Sequence, residues 1–137
     1  MVVLSKQEIE EYLAEPHVAH LVTLQPDGRP HMAPVWYLAE GSHALVMAYA
    51  NAVKMRNIRR NPVVALSIAT DQRPYKYVVL EGTGRITDDN LLQVIERICV
   101  QYCGPEEGPA YAKLMLSEGP MLLIDIGVTR VTGWKHD

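Results

Sequence analysis

The chain lacks the signatures of several large protein classes. It has no excess of positive charge: 13 Lys and Arg stand against 16 Asp and Glu, for a formal net charge of −3. Binding to phosphate backbones needs a basic field, so no nucleic-acid partner is expected. No apolar run approaches the roughly 20 residues that span a bilayer, so no membrane partner is expected either. The N-terminus, MVVLSKQEIEEYL, is acidic and amphipathic. It has no basic region leading into an apolar one and is not read as a secretory signal. Only two cysteines occur, Cys99 and Cys103, and on the helix expected there they share a face. A regular helix resists disulfide geometry, and a metal site would need more ligands nearby. They are read as reduced, half-buried thiols in a cytoplasmic protein.

Motifs for several chemistries are missing too. There is no G-x-S-x-G elbow, no phosphate-binding G-x-x-x-x-G-K-[ST] loop, and no G-x-G-x-x-G opening a helix. The five histidines, at 17, 20, 31, 43 and 136, form no H-E-x-x-H pattern, and no Cys-x-x-Cys accompanies them. Hydrolysis by a Ser–His–Asp set is therefore not expected, and neither is a metal site.

What remains is an ordinary globular composition, 48% hydrophobic over 137 residues, enough for one domain spanning 1–137 with a real core. Ser5 and Glu8 have capping-box spacing before Ile9, Tyr12 and Leu13, which predicts a helix over about 6–14. HVAHLVTL reads as a strand ending at the turn Gln25-Pro26-Asp27-Gly28. A second strand is expected over about 29–38. Pro30 and Pro34 make it an edge strand, a bulged strand or the wall of a site. HALVMAYA and VVALSIAT are further strands. YKYVVLEGTGRIT is a long one, with Gly82 and Gly84 suggesting a bulge or sharp coil. Asp88 or Asp89 is expected to cap a helix running to about 103. Gly104-Pro105 breaks it, a short helix follows over about 107–117, and a last strand covers about 120–134. Six strands joined largely by short turns predict a small antiparallel barrel of mainly β, α+β type.

One stretch departs from the acidic background. NAVKMRNIRRNP, positions 51–62, holds Lys54, Arg56, Arg59 and Arg60 just after a strand end. Lys54 falls near a helix start, where free N–H groups and the positive end of the dipole favour a phosphate. The charge alone fits either a solvated helix face or an anion site.

The order of these pieces is specific. "PDGRP", "LVMAYA", "KMRNIRRNPVVALSI", "KYVVLEGTGRIT" and the closing "RVTGW" together resemble the pyridoxamine 5′-phosphate oxidase-like superfamily. These are flavin-binding split β-barrels. "K-x-R-N-I-R-R-N-P" is similar to the branch of deazaflavin (coenzyme F420)-dependent reductases. The resemblance covers about 8–134. It implies a six-stranded antiparallel split β-barrel of the FMN-binding type, forming a homodimer with cofactor clefts at the interface. It also implies that Lys54 contacts the cofactor phosphate. Val35, Trp36 and Tyr37, with Met47, Ala48 and Tyr49, would run beside the ring. Tyr77 would approach from the partner or the barrel wall, and Trp134 would lie near the ring. Arg56, Arg59 and Arg60 would hold the same phosphate or an acidic cofactor tail, though helical spacing keeps them from all facing one way.

Departures narrow the function. HMAPVWYL carries no Arg or Lys where the oxidase branch has both, Val53 replaces the usual Arg or Ser, and Lys135-His136-Asp137 follows the terminal Trp instead of Arg. These argue against oxidation of pyridoxamine phosphate. The expected function is an oxidoreductase that uses reduced coenzyme F420 to pass hydride to a small organic substrate. Tyr37, Tyr49 and His31 are the candidates for a general acid. Three alternatives are an FMN-dependent oxidase or flavin reductase, a non-catalytic flavin or haem binder, and a structural dimer with an empty cleft.

Overall fold

A computed structural model describes residues 1–136. Val2–Val3 form a short strand, β1, and Ser5 then opens α1 (Lys6–Leu13). The Ser5 side chain accepts from the Glu8 amide at 3.1 Å, while Glu8 Oε1 accepts from the Ser5 amide at 3.0 Å, completing the capping box. β2 (Ala19–Leu24), β3 (Pro30–Val35), β4 (Tyr37–Glu40) and β5 (His43–Tyr49) follow. Then come α2 (Val53–Arg60), β6 (Val63–Ala69), β7 (Tyr75–Thr87), α3 (Leu91–Ser117) and β8 (Met121–His136).

The strands form one antiparallel sheet in the order β3-β2-β6-β7-β8-β5-β4, with β1 alongside β8. The two ends of this path, β3 and β4, are consecutive in the chain and meet at Trp36. The sheet therefore curls round on itself, and the barrel is closed by the chain rather than by a ladder at that point. This is a split barrel.

It has eight strands where the sequence predicts six. The expected second strand divides at Trp36: β3 pairs with β2, and β4 pairs with β5 at the far end of the sheet. Pro30 and Pro34 sit in β3, which has a partner on one side only, so their missing N–H groups cost no ladder bond. β1 pairs Val2 with Lys135 and Val3 with Trp134, and is too short to show a period. The predicted bulge lies in the β7–β8 pair, where the register shifts between Glu81 and Gly82. A Cβ at Gly82 would stand 2.0 Å from the Gly127 carbonyl oxygen, so only glycine permits this approach.

Asn90, rather than Asp88 or Asp89, caps α3, in a left-handed conformation with φ 53°. Asp89 instead donates its amide to Thr87 Oγ1 at 3.0 Å. Gly104 breaks α3 with φ 93°, as its sequence predicts. The second segment packs tightly on the first, since a Cβ at Gly108 would lie 2.6 Å from Val100 Cα. Leu21, Leu66, Ile68 and Val46 fill the barrel, with Met55 and Ile58 of α2 and Tyr12 of α1 joining them. A second core of Ile95, Ile98, Cys99, Ala112 and Leu123 lies between α3 and the outer face of β4, β5 and β8. Elsewhere the sheet exposes apolar side chains, Met32 at 66% and Val63 at 53%. Among the described residues no helix is long and apolar enough to cross a membrane.

Candidate functional site

The α2 start is built by its neighbours. β5 ends at Tyr49, the chain turns, and Ala52 takes the N-cap position in an extended conformation without a side-chain cap. The Val53 and Lys54 N–H groups are thus left for water or a ligand, whereas the Met55 amide donates to the Ala52 carbonyl at 3.0 Å. Lys54 lies in that turn and is half-buried. Desolvation alone lowers its pKa, since no carboxylate stands near enough to oppose it.

Lys54 faces a cleft of about 400 Å³. Val35, Trp36, Met47, Ala48 and Tyr49 line it with Lys54, so six of the twelve residues singled out from the sequence converge here. Lys54 is the only charged lining residue, and the walls are mainly apolar. Such a cleft suits a flat, largely apolar body carrying one anionic group near the α2 N-terminus.

The other six lie elsewhere. Tyr37 is fully buried in the barrel core and donates to the Glu15 carbonyl at 3.3 Å. Burial, and then its tyrosine neighbours, push its pKa up. Arg56 turns back to donate to the Asn51 carbonyl at 2.9 Å. Arg60 reaches the Leu24 carbonyl at 2.6 Å and Asn57 Oδ1 at 3.1 Å. Arg59 is exposed to solvent. Tyr77 and Trp134 face each other across β7 and β8, away from this cleft. His31, a candidate acid, sits in β3 opposite Thr23 and does not line the cleft either.

Several lining residues were not singled out from the sequence, among them Val18, Tyr111, Met115 and Met121. Tyr111 and Met115 arrive because the Gly104 break turns the second segment of α3 back toward Trp36. Only the Gly-Pro pair hints at this. Trp36 stacks on Tyr102 at 4.6 Å between ring centres and 5° between planes, and Tyr111 lies tilted at 5.5 Å. Tyr102 is itself fixed: its hydroxyl donates to the His17 carbonyl at 2.6 Å and accepts from the Tyr37 amide at 3.1 Å. Tyr49 crosses the cleft edge and donates toward the Met115 carbonyl at 3.2 Å and Glu118 Oε2 at 3.3 Å. Desolvation and the Glu118 carboxylate raise its pKa. No group of three or more His, Cys, Asp or Glu suited to a metal occurs among the described residues.

A family model described as pyridoxamine 5′-phosphate oxidase matches residues 5–135. The chain belongs to that family. Among solved structures, this family member is similar to Rv2991, a conserved hypothetical protein of Mycobacterium tuberculosis. That pair has a TM-score of 0.84 at 26% identity, over 98% of this chain and 87% of the other. An F420 reductase superposes with a TM-score of 0.74 at 28% identity, over 89% of this chain and 94% of its own. The haem storage protein HutZ of Vibrio cholerae shares the fold, with a TM-score of 0.72 at 17% identity and 92% of each chain covered. Among curated proteins, none matches significantly.

Proposed function

We propose that this family member is an oxidoreductase that binds reduced coenzyme F420 and directs hydride to a small organic substrate. The observation that carries this reading is Lys54: a lone, half-buried cation at an uncapped helix start, at the rim of an aromatic cleft. A buried charge without a counter-ion is costly, and a cofactor phosphate would supply one. The bound cofactor supplies the hydride chemistry. Lys54 and the first-turn amides hold the phosphate. Val35, Trp36, Met47, Ala48 and Tyr49 orient the ring and exclude water from it. Arg59 and Arg56, on the exposed side of α2, extend positive charge toward an acidic tail. Arg60 braces α2 against β2. The similarity to an F420 reductase supports the deazaflavin.

The working form is a homodimer. Its contact is the apolar outer sheet face that presents Met32 and Val63. Association through this face brings Tyr77 and Trp134 of one protomer toward the cleft of its partner. A second reading, FMN in the same cleft, is favoured by the family match.

Fluorescence titration of the purified protein with FMN and with coenzyme F420 tests both. Trp36, in the cleft wall, reports by quenching. Micromolar F420 binding with weaker FMN binding supports the first reading, the reverse supports the second, and binding of neither removes the cofactor assignment. Sedimentation velocity tests the dimer: a monomer at micromolar concentration overturns it.

A further inference from the structure

We infer that Tyr49 is the proton-transfer residue of the cleft and that Glu118 connects it to solvent; this rests on the hydride-transfer reading above. Delivering hydride to a polarised C=C bond conjugated to a carbonyl leaves negative charge on the substrate oxygen. A proton must arrive there. Within one protomer, Ser, Thr, His, Asp and Glu are all absent from the cleft lining, and the Trp36 indole N–H is too weak an acid, which leaves Tyr49, Tyr111 and Lys54 as the side chains able to give up a proton. Lys54 is committed to the anion. Tyr49 differs from Tyr111 in where its hydroxyl points: its proton is shared between the Met115 carbonyl at 3.2 Å and an ionisable group, Glu118 Oε2, at 3.3 Å. Glu118 caps the end of α3 and is exposed. Tyr49 therefore spans the cleft and a carboxylate in contact with water.

The step balances. A reduced deazaflavin held in the cleft would supply two electrons and one hydrogen nucleus to the substrate carbon. The π electrons move to the carbonyl oxygen, which takes the Tyr49 hydroxyl proton and becomes an enol. Tyr49 recovers a proton through Glu118, which is replenished from water. The charged and titratable groups facing Tyr49 are Glu118 and Tyr111 of α3 and its C-cap, and Lys54 of α2 at the same cleft. Tyr49 has its pKa raised and stays protonated at neutral pH, as a proton donor must.

The first test uses the cofactor-free protein. With ¹³C-labelled tyrosine rings, the Tyr49 resonance is assigned by its loss in Y49F and followed against pH by NMR. Replacing the carboxylate in E118Q should lower the Tyr49 titration midpoint, and E118D should restore part of it. An unmoved midpoint overturns the link to Glu118. The second test follows single-turnover oxidation of reduced coenzyme F420 by 2-cyclohexenone. At saturating cofactor, with saturation checked by quenching for each variant, Y49F should slow it by roughly 100-fold or more, and E118Q by about tenfold. Loss of rate in Y111F or in Y77F but not in Y49F overturns the assignment in favour of that tyrosine. Failure of the wild type to bind the cofactor at all counts against the cofactor reading, and the NMR titration still decides the Tyr49–Glu118 link.

Discussion

Replacing Lys54 by methionine keeps the aliphatic stem and removes only the charge. In the cofactor-free protein this should be stabilising, because the ammonium is half-buried and no carboxylate compensates it. The sign follows from linkage. The folded pKa lies below the ordinary 10.5, so the charged form is disfavoured in the fold. That penalty is complete at pH values under the depressed pKa and vanishes as pH rises toward and past 10.5. Lys54→Met should therefore melt above the wild type at pH 7 and converge with it in alkali. Cofactor binding should move the opposite way. A charge-assisted hydrogen bond to phosphate contributes about 1.5–3 kcal/mol, which is roughly a 10- to 150-fold rise in Kd. A bound phosphate also raises the lysine pKa again. Wild-type affinity should then be level near neutrality and fall as pH climbs through the depressed value, whereas the variant's should show no such fall. The assay is Trp36 quenching by coenzyme F420 between pH 7 and 10, with thermal melts in parallel. Unchanged affinity in a folded Lys54→Met protein would refute the anion-site reasoning and return the basic stretch to a solvated helix face.

Other expected outcomes concern the scaffold. Gly82→Ala should cost about 1–3 kcal/mol in urea unfolding, because its Cβ would collide with the Gly127 carbonyl at 2.0 Å and push β7 from β8. Thr23→Val keeps the shape but removes the acceptor for Asn57 Nδ2, a 3.0 Å bond between two buried side chains that ties α2 to β2. It should cost about 1–3 kcal/mol in the same measurement. Glu8 has its pKa lowered to about 2 by the hydrogen bond from Lys135 and then by the Ser5 amide. Its stabilising contribution is present above the ordinary 4.5 and disappears as pH falls toward about 2, so Glu8→Gln should flatten that part of the melting profile. If the proposed dimer forms through this face, Met32→Asp should leave a monomer in sedimentation without unfolding the barrel, since Met32 is 66% exposed in the single chain.

The sequence by itself determined whatever depends on near neighbours. The capping box of Ser5 and Glu8, the Gly104 break and the edge character of a strand holding Pro30 and Pro34 are all local chemistry. Each stands in the structure where its residues put it. The antiparallel barrel was legible because strand period and short turns leave few pairings open. The cleft was half legible. Lys54 follows from its helix position, and Val35, Trp36, Met47, Ala48 and Tyr49 from the family pattern. Long-range register decided the rest. Periodicity runs unbroken through Trp36, yet there the chain leaves one end of the sheet for the other, because closing the curled sheet lets β4 bury Leu38 against α3. Tyr37 has the same signature as its neighbours, but alternation turns it into the core. Tyr111 and Met115 carry no local sign of a site. They reach the cleft because the Gly104 break turns the second segment of α3 back and Gly108 lets it pack onto Val100, a contact between distant turns that no nearest-neighbour rule encodes.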